Sequence, residues 1–363
     1  MMAWLALLAM LGGTLAALLA PPYAAAAALA LALLAMARRR AFLVFLAVAL
    51  PLNVLIAGLA MPPDGWARGL VGGIRLGAAL AVNLAVVSRL GAERLIDGLG
   101  LPPRATALLA SIVLAAHDLG RDLARLRDAR RLEGRWPRGR LAAAREAARL
   151  LPPLVVAAHR GATARREALQ LAGHATAPWF VPLVAVAALC AAGRMALLAL
   201  PNVALTYVVA FLGGVLFGPR VAAAGAFLGM ALTDFLLTGL YLPGFVNAPA
   251  MALLALLGGA LRRVELDPAL AAAVGIFATF LFSAAADALT WLLLYQDAPQ
   301  LLAPLVLAGL AFNVVPALVN GALFAAGVGP TVRAFRAWQA QALPAPAPTG
   351  AASRASLPAS PAE

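Results

Sequence analysis

The chain contains no lysine; all 28 of its basic residues are arginine. A Gly-x-x-x-x-Gly-Lys phosphate loop is therefore absent, and any ATP hydrolysis of that kind must come from another subunit. Cysteine occurs once, at Cys190 inside an apolar run, which excludes a disulfide framework and a thiolate-based zinc site. The three histidines, His117, His159 and His174, are too far apart for ligand spacing, and each reads as a helix-face residue. Acidic residues are few, 15 in all, and Asp234 and Asp287 do not form the paired acidic repeats of metal-dependent prenyl chemistry. Ser88, Ser111 and Ser283 stand in no nucleophile context. An enzyme needs a constellation of such groups, so no catalytic residue, metal or cofactor is expected.

What is present is hydrocarbon. Of the 363 residues 64% are hydrophobic, and the mean hydropathy is +0.92. Soluble domains sit near ~45–50% apolar. A helix of about 20 apolar residues crosses a bilayer. Ten such spans are expected, at about 3–20, 22–37, 41–61, 69–90, 178–200, 203–218, 221–241, 246–261, 268–295 and 301–327. Met1–Ala20 lacks a basic leader and reads as the first span rather than a cleaved signal. The segment 342–363, rich in Pro, Ala and Ser, reads as a disordered tail.

The net charge of +13 invites a nucleic-acid reading, but the arginines sit beside the apolar runs. Placing Met1 inside puts Arg38–Arg40, the arginines up to Arg166, Arg220, Arg262, Arg263, Arg333 and Arg336 on one side, with only Arg68 opposite. This is the positive-inside pattern of a multi-pass membrane protein with both termini cytoplasmic, and no nucleic-acid partner is expected. Thirteen arginines fall between Asp118 and Glu167, interleaved with Leu119, Leu123, Leu126, Leu132, Leu141, Leu150 and Leu151 at roughly helical spacing. These predict long amphipathic cytoplasmic helices over about 102–174, a basic arm for a partner or for anionic lipid. The fold class expected is thus an all-α polytopic membrane protein with an arm. Residues 1–175 form a four-span module carrying the arm, and 176–341 a six-span module.

Ionisable and polar groups within spans are costly and usually face a cavity or a partner. In the second module these are Arg194, Thr206, Asp234, Asp287 and Asn313, to which Asn202, Tyr241 and Asn247 add groups near span ends. Arg194, Asn202, Tyr241 and Asn247 should cluster at the outer end, where a substrate is captured. The aspartates fit equally well as interhelical hydrogen-bonding groups or as partners of Arg194. Asn313 and Asn320 share a face unless Pro316 kinks the helix, and serve either as helix glue or as pocket wall.

Two stretches resemble known proteins. The order Gly72-Gly73-Ile74-Arg75, then ERLIDGLGLPP at 93–103, then a charged helix, then ARLLPPLVVAAHRGATARREALQLAGH at 148–174 is similar to the transmembrane coupling component of energy-coupling factor transporters. The run from Ala185 through Gly193-Arg194, Pro201-Asn202-Val203 and Gly218-Pro219-Arg220, with the ending at 312–337, resembles the substrate-binding components of the same importers. The resemblance implies one membrane subunit joining both roles, a vitamin or related micronutrient as substrate, and two ATP-binding-cassette ATPase subunits in trans. It implies that the Leu-Pro-Pro-Leu element precedes a second long helix, and that the alanine face of Ala188 and Ala192 meets the arm. It also implies docking tips with an Ala-Arg-Gly motif. The first tip reads Ala129-Arg130-Arg131, or Leu132-Glu133-Gly134 in a shifted register, and the second reads Leu171-Ala172-Gly173 without an arginine. Arg130, Arg131, Arg135, Arg165 and Arg166 are the candidate ATPase-coupling residues. The alternative is a non-enzymatic scaffold whose arm binds anionic lipid or partner proteins.

Overall fold

The computed structural model describes residues 91–134, 140–197, 205–238, 246–294 and 299–342, with isolated positions before 91. The four spans expected over 3–90 therefore lie almost wholly outside the described residues, as do Asn202, Tyr241, Arg135 and the tail beyond Ala342. Every described element is helical and there is no strand among them. In order they are α1 Ala92–Gly98, α2 Pro103–Leu132, α3 Arg140–Leu171, α4 Phe180–Leu197, α5 Leu205–Phe217, α6 Pro219–Thr238, α7 Asn247–Ala260, α8 Pro268–Leu294, a 3-10 turn Pro299–Leu301, α9 Leu302–Phe312 and α10 Val314–Ala342.

The arm is a pair of long helices. In α2 the buried residues Ser111, Ala115, Leu119 and Leu123 recur every four positions, which makes one apolar stripe. In α3 the stripe is Ala147, Leu151, Leu154, Val155, Ala158 and Ala162. The two helices run antiparallel: Arg130 meets Glu146 at 3.6 Å near one end, and Arg165 meets Asp118 at 2.6 Å toward the other.

Leu-Pro-Pro occurs twice with opposite outcomes. At 101–103 it opens α2, where Pro103 occupies the first turn and its missing N–H costs nothing. At 151–153 it lies inside α3, so the expectation that this element precedes the helix is corrected. Two interior prolines remove the donors for the Ala148 and Arg149 carbonyls, at roughly 3 kcal/mol each. Leu150, Leu151, Leu154 and Val155 are all buried around them, each contributing roughly 1.5–3 kcal/mol. The burial wins, and the helix continues.

The second module comprises the seven helices α4–α10. From α4 to α8 they reverse direction through short connections. The span expected over 301–327 is two helices, α9 and α10, which meet at Asn313. Pro316 has no N–H for the Phe312 carbonyl, and it is tolerated where it stands because it lies in the first turn of α10. α10 then runs on to Ala342, packing along α8 with its first half and along α3 with its second. Gly327 abuts Leu151 there, and Asn320 bonds Thr279 of α8 at 3.0 Å.

Two helices, Pro268–Leu293 and Val314–Gln341, are long and apolar enough to cross a membrane. Phe180–Arg194, Leu205–Phe217, Asn247–Ala260 and Leu302–Phe312 are shorter apolar helices. Only 33% of the apolar window in the first long helix is buried, and Leu270, Phe277, Leu292 and Leu293 on it are exposed. Phe227, Leu256, Leu307 and Leu318 extend this exposed apolar surface to other helices. An apolar surface of that extent fits lipid better than water.

Inside the module the helices approach through glycine. A Cβ at Gly258 would overlap the Phe211 carbonyl, and one at Gly214 would overlap the Ala255 carbonyl. Gly258→Leu is therefore expected to separate α5 from α7 and to destabilise the fold by about 1–3 kcal/mol or more. The loss would be read as a lower unfolding temperature in detergent, and an unchanged temperature would contradict the close crossing.

Candidate functional site

The polar residues of the module gather at one end. Arg194 lies in the last turn of α4, Asp234 in the last turns of α6, Asn247 opens α7, and Thr206 begins α5 beside Gly193. Arg194 Nη2 lies 2.5 Å from Asp234 Oδ1, with the Asp234 side chain 1% exposed and that of Arg194 21%. Asn247 hydrogen-bonds the same carboxylate, and Arg194 Nη1 reaches Met230 Sδ at 3.0 Å. Arg194 and Asn247 thus gather around the buried carboxylate of Asp234, with Thr206 buried nearby.

Asp287 and Asn313 form a second cluster between α8 and α9–α10. Asn313 Nδ2 donates to Ser283 Oγ at 3.0 Å and to the Gly309 carbonyl at 2.8 Å, and Ser283 Oγ donates to Asp287 at 3.3 Å. Asn313 and Asn320 both hydrogen-bond side chains of α8. Tyr207 packs on Phe282 at 4.6 Å, the residue before Ser283, so an aromatic pair lies between the two clusters. The sequence reading gave no role to Ser283 or Phe282, because neither stands out in a run of small and apolar residues.

Several groups of this end bond to one another rather than face an open space. Cavities lined by described residues lie elsewhere, among them an open one of 590 Å³ beside Pro152, Pro153, Val156, Arg160 and Ala334. One of 450 Å³ is bounded by Val113, Ala116, His117 and Arg121 of α2, Ala191 and Ala192 of α4, and Leu232 and Thr233 of α6. One of 410 Å³ lies between Arg104, Leu108, Leu169, His174 and Trp179.

The arm arginines are also engaged. Arg130 sits between Glu146 at 3.6 Å and Glu133 at 3.8 Å, Arg165 pairs with Asp118, and Arg166 donates to Thr176 at 3.3 Å. Glu146 is buried on α3 and also accepts from Arg149 at 2.9 Å. Arg131 is exposed. The tips end alike: Leu132 and Leu171 close their helices, and Gly134 and Gly173 follow with φ of 67° and 83°.

Toward the arm α4 presents the small residues Ala191, Ala192 and Gly193 beside Leu189. Ala188 and Ala192 are 0% and 5% exposed. Leu119 and Leu123 of α2, with Leu151 and Leu154 of α3, close over Leu189, Ala192 and Gly193. At the opposite end of the module, His159 of α3 stacks on Phe217 at 5.9 Å and meets Phe335 and Trp338 edge-on at 5.6 and 5.1 Å. Arg160 lies over the Trp338 ring at 5.7 Å.

No protein-family model, curated protein or solved structure matches the chain.

Two outcomes are expected. Arg194→Met leaves the Asp234 carboxylate buried without its cation and should cost about 3–5 kcal/mol, most of it recovered by adding Asp234→Leu. Thermal unfolding checks both, and a double variant no more stable than the single one contradicts a structural ion pair. Burial holds the His159 pKa below its ordinary 6.5. The unfolded chain then binds the proton more readily, so this contribution to stability is full above pH 6.5 and is lost as pH falls below it. The unfolding temperature should drop on acidification below that point, and His159→Phe should flatten the drop.

Proposed function

We propose that the chain is the membrane subunit of an energy-coupling factor importer, joining a coupling arm to a substrate-capturing module. The observation that carries this reading is the seating of the arm on the alanine face of α4. Small faces let helices approach closely where lipid supplies no hydrophobic drive, and here the leucine stripes of both arm helices fill that approach. A basic arm locked to a polar-ended helical module has the parts needed to transmit force. The resemblance adds the rest of the reading: about ten spans in the bacterial cell membrane, both termini and the arm cytoplasmic, and two ATP-binding-cassette subunits in trans. Arg130, Arg131, Arg135, Arg165 and Arg166 belong to the coupling surface. A vitamin or related micronutrient is captured at the end holding Arg194, Asn202, Thr206, Asp234, Tyr241, Asn247, Asp287 and Asn313.

The packing also bears on posture. Arg104 and Phe180 border one cavity, while Arg121 and Ala191 border another, so α2 and α4 run side by side in the same direction. Two helices so aligned do not lie one along the membrane surface and the other straight across it. With the arm on the cytoplasmic face, the module lies tilted over it, and an upright posture exposes the capture end outward. Alternation between the two is a rigid-body motion driven by the ATPases.

A second reading, a scaffold on anionic lipid, draws on the exposure of Arg125 and Arg149, 70% and 71%. Such residues contribute about 1 kcal/mol each near a charged leaflet. That reading gives no role to the α4 contact.

The test is co-expression with the ATP-binding-cassette ATPases encoded in the same genome. The chain should purify with two ATPase subunits and with a small molecule identifiable by mass spectrometry. Ala191→Leu with Ala192→Leu should leave the ATPases bound while ATP-driven uptake of that molecule falls at least about tenfold, ~1.4 kcal/mol of coupling. Absence of ATPase from the purified wild-type chain, or uptake unchanged in the variant, contradicts the proposal.

A further inference from the structure

The charged arm and the apolar module meet at a seam, and a cavity opens there. α3 ends at Leu171 after Arg165 and Arg166, residues 172–179 lead on to the apolar start of α4 at Phe180, and α2 begins beside them at Pro103. The cavity of 410 Å³ lies between these three helices. Leu108 of α2, Leu169 of α3 and the buried Phe180 of α4 give it hydrocarbon walls, and Trp179 on its border is 49% exposed. Arg104 and His174 stand on the same border, both exposed. Thr176, also in the lining, accepts from Arg166 at 3.3 Å, which sets a third basic group just behind the wall. Among the described residues no carboxylate lines the cavity.

Each part of that lining restricts the occupant. Apolar walls of this extent are costly to leave in water and take an apolar chain. A guanidinium and a ring N–H on one border, with no acid in the lining, select an anion, and phosphate oxygens accept from both. Neither α2 nor α4 has an acidic residue in its first turn, so the dipoles of both helices add to the positive potential at this end. A half-exposed tryptophan beside hydrocarbon suits a membrane–water interface, with its ring in the apolar layer and its N–H in the wet one. A soluble anion uses the cations and leaves the walls bare, whereas an uncharged lipid uses only the walls.

We propose that this cavity holds one anionic phospholipid, its phosphate on Arg104 and His174 and an acyl chain along Leu108, Leu169 and Phe180. The cavity is open rather than enclosed, so the remainder of the lipid stays in the bilayer. The bound lipid fills the seam and fastens the start of α4 to both arm helices. The site requires a membrane around the module and nothing of the importer reading. It is also distinct from the diffuse attraction of Arg125 and Arg149 to a charged leaflet.

The experiment is native mass spectrometry of the full chain in detergent, titrated with phosphatidylglycerol, with phosphatidylcholine of the same chains, or with glycerophosphate. Phosphatidylglycerol should bind at least about tenfold more tightly than phosphatidylcholine, and glycerophosphate should not be retained. Arg104→Gln with His174→Gln should weaken phosphatidylglycerol about tenfold and erase its advantage over phosphatidylcholine. Arg125→Gln with Arg149→Gln should change neither. Ala107→Phe fills the cavity without touching the charges and should weaken both lipids, which tests the site by a second route if the first variant fails to fold. Equal affinity of the wild-type chain for the two lipids overturns the site. So does phosphatidylglycerol binding unchanged in the Arg104 and His174 variant or in Ala107→Phe, or weakened as much in the Arg125 and Arg149 variant. Glycerophosphate held as tightly as phosphatidylglycerol overturns the lipid as occupant.

Discussion

The burial of α4 on every side is the constraint on which the rest of the structure depends. From Leu183 to Ala192 each residue is buried, with exposures of 0–6%. A helix that is apolar all round needs neighbours all round. On one side α6 comes so close that a Cβ at Gly229 would strike the Ala187 backbone, and α5 meets Val186 through Gly213. On the other side the arm leucines close over Leu189 and Ala192. The arm and the module therefore share one core, and α10, crossing from α8 to α3, ties them a second time.

That shared core gives the molecule two chemically different ends. One carries the Arg194–Asp234–Asn247 cluster and, deeper along α8, Asp287 with Ser283 and Asn313. The other carries the rings of His159, Phe217, Phe335 and Trp338, where arm, module and the last helix meet. Polar groups that are satisfied by one another keep the first end stable without ligand. The aromatic end makes a joint that is apolar but still holds a titratable ring. In the proposed importer the first end captures and the second turns on the arm.

Much of this architecture was legible in the sequence because hydrophobic period and charge are local signals. The leucines at 119, 123 and 126 announced the second half of α2, whereas Asn202 and Tyr241, expected beside Arg194 and Asn247, lie outside the described residues. Residues whose outcome depends on neighbours were not legible. Pro152 and Pro153 look like a helix start, yet buried leucines on both sides carry α3 through them. Pro316 looks like a kink within one span, yet it begins a new helix that runs on to Ala342. The arginines looked like free docking charges, and only the fold reveals Glu146, Asp118 and Thr176 as their partners.

The central claim is that the arm is seated on the alanine face of α4, side by side and in the same direction. Cysteine pairs tested in native membranes with a short bifunctional maleimide, in a chain carrying Cys190→Ala, address it directly. Gly120→Cys with Ala191→Cys, which border the same cavity, should cross-link efficiently. Arg104→Cys with Ala191→Cys, separated along both helices, should not. Cross-linking of the second pair in place of the first, or of neither, would contradict the account.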